Sequence, residues 1–266
     1  MKHLNYFLRS LPLGVLSMVV VPTFLSAAPS PLGLIANWVK KDEARWPKAI
    51  VAAEAMVRDG KAKSLTDEFQ KEKDRFFRKQ AETMGLGAFA KDDKNGEFLA
   101  GWVLEADRLV VLKFMSRLHG EGDIVTVVLI GREGKAGVWK EVFERKSCNS
   151  SIARVQLSDA EAPIIVFCGG ECNKGFEFSF YQMTKNFEFK ELFKLTPFRG
   201  LVWLLDADKD GRKEIYTTSR VDFPADLKAQ LGSADASDIK LVERKLLSWK
   251  GGKLKVLGTG HSFGAF

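Results

Sequence analysis

Two hydrophobic periods divide the chain. Between Trp46 and Gly60, "WPKAIVAAEAMVRDG" repeats its apolar positions Ile50, Ala53 and Val57 at helical spacing, with Pro47 suited to a first turn and Gly60 to a stop. "SLTDEFQKEKDRFFRKQAETMG" follows. Ser64 or Thr66 can cap it, Asp67 and Glu68 complement its amino end, and Leu65, Phe69, Phe76, Phe77 and Met84 line one side. Amphipathic helices are expected over 47–59 and 65–84. After Gly96 the period drops to two. In "GFEFSFYQM", Phe176, Phe178 and Phe180 alternate with Glu177 and Ser179, as one buried sheet face requires. "WKGGKL" places Gly251 and Gly252 in a tight hairpin turn. A short helical excursion, "PADLKAQLG" at 224–232, is the one interruption of a β meander.

The meander contains a repeat. "VWKEVFERK" from Val138 returns fifty residues later within "FEFKELFKL" (187–195), with Lys140 and Glu141 falling on Lys190 and Glu191, and Phe143 on Phe193. Twelve candidate strands divide into three groups of four, at about 98–145, 152–195 and 201–258. A four-stranded meander repeated near this period is the signature of propeller blades. Three blades do not ordinarily close a ring. The fold class is therefore mostly β: a propeller-like meander of about three units, possibly open, behind an amino-terminal pair of helices. A partial propeller, a barrel, or a stack whose open edge is covered by the helices or a second subunit all satisfy the pattern.

"LLDADKDGRKEI", Leu204 to Ile215, carries the most chemistry. An EF-hand needs flanking helices and a glutamate at its twelfth position; here both flanks read as strands, and the twelfth residue from Asp206 is Thr217. Between strands, alternate side chains Asp206, Asp208 and Asp210 can converge on one hard cation where Gly211 lets the chain fold back. The carbonyl of Arg212 and the carboxylate of Glu214 can complete an oxygen shell. This loop resembles the FG-GAP/VCBS repeat of integrin-like propellers, D-x-D-x-D-G-x-x-[DE]-[IL], matched at Asp206, Asp208, Asp210, Gly211, Glu214 and Ile215. The resemblance covers about one blade well and implies calcium in a structural role. In the preceding unit, "QLSDAEAPII" has Gln156, Ser158 and Ala160 where the aspartates stand, so one site is expected. The alternative is a charged hairpin turn without metal, with Lys209, Arg212 and Lys213 opposing a cation.

Composition adds a compartment. "MKHLNYFLR", an apolar run and "SAAPSP" have the order of a secretory signal peptide, cleaved after Ala27; an uncleaved anchor is the alternative, though Pro12 and Pro22 bracket a short run. No second run of spanning length follows, so no integral membrane segment is expected after cleavage. Losing Lys2 and Arg9 lowers the formal charge from +7 to +5. Basic residues alternate with acids in "KEKDRFFRKQ", which argues against nucleic acid. The expected divisions are a signal peptide at 1–27, a helical region at 28–96, the β domain at 97–258 and a flexible tail at 259–266. Export permits a disulfide among three cysteines. If "IARVQL" and "IIVFC" form a hairpin centred on Ala160, pairs sum to 320, Ile152 faces Cys168, and Cys148 faces Cys172. That register favours a Cys148–Cys172 bridge; Cys168–Cys172 is the competitor.

"GHSFG", Gly260 to Gly264, matches the G-x-S-x-G elbow of lipases and esterases, but that elbow needs a following helix and downstream partners. The expected function is an exported, periplasmic or extracellular, non-catalytic binding or envelope-structural protein with a calcium-stabilised β-repeat domain and a protein or glycan partner. The alternatives are a secreted hydrolase using Ser262 and an assembly factor that binds through its amino-terminal helices.

Overall fold

The computed structural model describes residues 30–263 apart from 71–74, 92, 119–121, 149, 159, 160, 172–174 and 233–238. The signal peptide, His119, Asn149 and Cys172 lie outside the described residues. The chain opens with helix α1 (Pro31–Glu43), which the sequence reading did not name. Its signals are local: Ser30 accepts from the Gly33 amide at 3.1 Å, Pro31 starts the helix, and Ile35 and Val39 lie one turn apart on its buried face. Helix α2 (Lys48–Arg58) stands where the helical period predicts it.

The long helix expected at 65–84 is not formed, and its residues serve three different surfaces. A two-residue strand β1 (Lys63–Ser64) leads into helix α3 (Leu65–Gln70), and helix α4 (Arg78–Thr83) and a single turn α5 (Gly87–Ala90) follow. Between α3 and α4, the amide and carbonyl of Phe76 bond the carbonyl and amide of Gly101 at 2.8 and 2.9 Å. A residue that spends both backbone groups on a strand edge cannot spend them on a helix.

Three antiparallel meanders follow. The first sheet is β2 (Glu97–Glu105), β3 (Leu109–Leu118), β4 (Gly122–Gly131) and β5 (Lys140–Ser147). The second is β6 (Ser151–Val155), β7 (Ile164–Glu171), β8 (Gly175–Met183) and β9 (Phe189–Leu195). The third is β10 (Val202–Leu205), β11 (Glu214–Val221), β12 (Leu241–Lys250) and β13 (Lys253–Phe263), with helix α6 (Ala225–Leu231) inserted before β12 and β1 added beside β10. Strands lie in chain order within each sheet. No sheet closes on itself among the described residues, so the barrel alternative falls.

The fifty-residue period is visible as geometry. β7 begins at Ile164 and β11 at Glu214. In the first sheet the register with β5 slips between Phe143 and Glu141; in the second, with β9, it slips between Phe193 and Glu191. The same bulge thus recurs at the same repeat position. β13 carries its own slip, between Gly258 and Val256. The last strand of each sheet, β5, β9 and β13, is bulged and carries lysine, features that discourage edge-to-edge pairing.

The sheets stack face to face, and alternation between the bulges assigns strand residues to layers. Leu109, Val111, Val127 and Leu129 of the first sheet meet Ile152, Ile165, Phe167 and Tyr181 of the second. The opposite faces of those strands supply the next core, where Val166, Phe178 and Phe180 meet Val202, Leu204, Ile215 and Leu247 of the third sheet. Leu65 and Phe69 from α3 wedge into this second core. A ring would cover the two remaining faces with further blades. Here helices do so. Phe76, Ala81, Leu86 and Ala90 cover Val110, Leu112, Phe114 and Ile130 on the first sheet. Ile50 and Ala53 of α2 cover Leu205, Tyr216 and Leu246 on the third, with α1 and α6 packed beside them. Burying a large apolar side chain stabilises by about 1.5–3 kcal/mol, so uncovered end faces would forfeit a substantial part of the fold's stability. Tyr216 also donates its hydroxyl to Glu54, whose other oxygen lies 3.3 Å from Arg244, pinning α2 down.

The tail expected at 259–266 is ordered strand as far as Phe263, because Gly258 and Gly260 let α2 and its approach lie flat on β13. A Cβ at Gly260 would stand 2.4 Å from the Trp46 indole nitrogen.

Candidate metal centre

The acidic loop joins β10 to β11, and the pair Leu205–Glu214 closes its base. Its aspartates organise the turn. Asp206 Oδ2 accepts from the Gly211 amide at 3.1 Å, Asp208 Oδ1 from Asp210 at 3.2 Å, and Asp210 Oδ1 from Arg212 at 2.8 Å. Gly211, at φ +84, and Lys209, at φ +63, take the left-handed conformations that the reversal needs. Asp206, Asp208 and Asp210 each present an oxygen within 4.8 Å of the others. Asp206 Oδ1 is buried and has no hydrogen-bond partner among the described residues.

Glu214 sits beneath them, 2% exposed, and its Oε2 accepts from the Ala207 amide at 2.8 Å. Burial pushes its carboxyl up to about 7 against the lowering effect of that hydrogen bond, and the charges of Asp208, Asp210 and Asp206 push the same way as burial. The structure therefore converges three of the expected ligands and places Glu214 under them, already engaged. The Arg212 guanidinium bonds groups outside its own loop. It forms two 2.9 Å bonds with the carboxylate of Glu161 and a third, at 3.1 Å, with the carbonyl of Trp249. The loop borders a cleft of about 740 Å³, whose other wall includes Lys250, Lys253 and Lys255.

A hard divalent cation fits this arrangement. A carboxylate oxygen without a donor, buried beside two further carboxylates, is a costly arrangement that a cation would relieve. The matching loop of the second sheet is closed differently. Gln156 occupies the repeat position of Asp206, and its Nε2 donates to the carbonyls of Ser158 and Glu161. A neutral donor there reaches across its loop at the position where Asp206 presents an acceptor. Glu161 was missed by the sequence reading: it is 51 residues from Arg212, and only the fifty-residue repeat, which sets the two loops side by side, hints at their contact.

At the other end of the strands, the hairpin register needs correction. Ser151 pairs Cys168 and Ile152 pairs Phe167, so pairs sum to 319 rather than 320. The β6–β7 connection spans an even number of residues, and its centre falls between two residues instead of on Ala160. Cys148 lies beyond the strand, donating its amide to the Gly170 carbonyl at 3.1 Å. Cys168 is a buried free thiol. The assignment of Cys148 to Cys172 thus cannot rest on the hairpin register.

Ser262 lies inside β13 opposite Val242, 5% exposed, with no partner for its hydroxyl among the described residues. Its neighbour His261 projects from the other face of the strand, as period two demands. There the Asp42 carboxylate accepts from the His261 amide at 2.7 Å and lies 3.3 Å from its Nδ1. Trp46 donates to the same oxygen at 3.1 Å. A nucleophile elbow requires an exposed serine on a sharp turn. This serine has neither.

No family model, curated protein or solved structure matches this chain.

Proposed function

We propose that this is an exported, non-catalytic β-repeat protein, stabilised by calcium at Asp206, Asp208 and Asp210, that acts in binding or envelope structure. The buried, donorless Asp206 Oδ1 beside two converging carboxylates carries the metal reading. Glu214 and the Arg212 carbonyl would complete the oxygen shell, and the number of oxygens available favours calcium over magnesium. The cation would serve structure, neutralising carboxylates that otherwise repel across the loop. The FG-GAP/VCBS resemblance of the same residues supports this reading.

Several features support the binding role over its rivals. Among the described residues no helix is long and apolar enough to cross a membrane. Phe69 and Phe76 are buried in the protein's own cores at 7% and 4% exposure, which leaves only Phe77 of the expected helical stripe open to a partner. That weakens the assembly-factor alternative. The strand setting of Ser262 weakens the hydrolase. Many basic side chains pair locally, including Lys91 with Glu82 at 2.8 Å and Lys240 with Asp222 at 3.0 Å, which leaves less free charge for nucleic acid. A protein or glycan partner would meet the cleft beside the metal loop. We further assign the Cys148 disulfide to Cys172, since Cys168 is free.

Isothermal titration of the chain beginning at residue 28 tests the metal. Calcium is expected to bind at micromolar to millimolar concentration, to raise the melting temperature, and to do neither in Asp208→Ala. An absence of heat at millimolar calcium would leave a charged turn in its place.

A further inference from the structure

The metal loop does not stand alone at its end of the third sheet. Arg212 lies between Asp210 and Glu214, and every polar part of it that the structure pairs is committed. Its amide is held by Asp210, its backbone forms a bridge with Ser158, and its guanidinium grips Glu161 in a two-pronged bond. The next amide, of Lys213, donates to the Leu157 carbonyl at 2.6 Å. Leu157, Ser158 and Glu161 all belong to the loop that joins β6 to β7 in the second sheet. The Trp249 carbonyl, from β12, takes the remaining Arg212 bond, while the Trp249 ring lies 4.9 Å from Phe193 of β9. The acidic loop is therefore also the seam between two sheets.

We propose that Glu161 is a positioning residue for the cation, and that calcium binding and closure of the seam between the second and third sheets are one coupled event. This rests on the calcium reading above. The physical link is short. Glu161 orients the Arg212 guanidinium, which sets the peptide flanked by Asp210 and Glu214. A cation that orders those ligands must order the same peptide, and with it the bonds to Leu157, Ser158 and Glu161. Coupling of this kind is reciprocal: what the cation contributes to the seam, the seam contributes to cation affinity. The Arg212 charge, which on sequence grounds opposes a cation, is matched by the fork to Glu161.

Two measurements on the chain beginning at residue 28 decide this. Hydrogen exchange with calcium against chelator should show new protection in peptides covering 206–214 and also 157–165. Glu161→Gln should weaken calcium binding by roughly fivefold to tenfold and abolish the calcium-dependent protection at 157–165. Its melting temperature in chelator should stay close to wild type. Glu161 is partly exposed, and Arg212→Lys, which keeps the charge and loses the fork, provides a second variant with the same expected result. A merely structural ion pair would lower the melting temperature equally with and without calcium and leave affinity alone. Calcium affinity unchanged in both variants, or exchange at 157–165 indifferent to calcium, would overturn the coupling alone. Failure of the wild type to bind calcium would overturn the metal reading and the coupling with it.

Discussion

Cys168 shows how burial decides a residue's chemistry. It packs between the second and third sheets among Val166, Phe178 and Phe180, and desolvation pushes its thiol up to about 12, with Arg145 opposing weakly. At pH 8 about one part in ten thousand is thiolate, so the group is an inert small hydrophobe. The folded pKa lies above the unfolded value of 9.0. The stability that this thiol contributes is therefore full below pH 9 and is lost as pH rises towards 12. Native protein treated with iodoacetamide at pH 8 should remain unlabelled. Unfolded without reductant, it should take one label, at Cys168, with Cys148 and Cys172 recovered in one linked peptide. Labelling of Cys168 in the native state, or a Cys168–Cys172 peptide, would contradict both assignments.

At the scale of elements, the broken helix turns on one close approach. Gly101 faces the Phe76 ring so tightly that a Cβ there would come within 2.3 Å of it. The glycine is thus required by packing, and the aromatic fills the space it leaves above β2. Phe76→Ala should cost about 3–5 kcal/mol, the usual range for emptying a buried aromatic site. Gly101→Ala should also destabilise, by driving its methyl into the ring. In the double variant that clash has no ring to meet, so urea denaturation should show a combined loss well short of the sum of the two. Strict additivity would mean that the bridge between Phe76 and Gly101 is incidental to where the helix stops.

For the molecule as a whole, the amino-terminal region does what further blades would otherwise do. It covers one end of the stack with α1 and α2, passes the first strands of all three sheets through β1, α3 and Phe76, and covers the other end with α4 and α5. A chain starting at residue 60 retains every strand and loses the cover over Leu205, Tyr216 and Leu246. It should bind a hydrophobic dye, melt earlier and tend to aggregate, whereas a chain starting at residue 30 should melt like the mature protein. Equal melting of the two would show that the third sheet needs no cap.

Period and spacing determined much of this protein. Alternation placed the strands and their grouping into three meanders, the fifty-residue repeat matched Phe143 with Phe193, and alternate aspartates with Gly211 located the acidic loop. These signals are local: a side chain's face, or a turn's backbone, follows from its near neighbours. Tertiary structure decided the rest. Leu65, Phe69, Phe76 and Met84 read as one helical stripe, and nothing local tells that the first two enter one core while Phe76 and Met84 join another. The slip from 320 to 319 depended on the parity of a loop whose ends are joined only by the folded sheet. The Gly260–Gly264 motif has the spelling of a nucleophile elbow, and only packing put Trp46 over Gly260 and His261 and Ser262 on opposite faces. The partnership of Arg212 and Glu161 exists because two sheets stack, and a distance of 2.9 Å between residues 51 positions apart is a property of the stack alone.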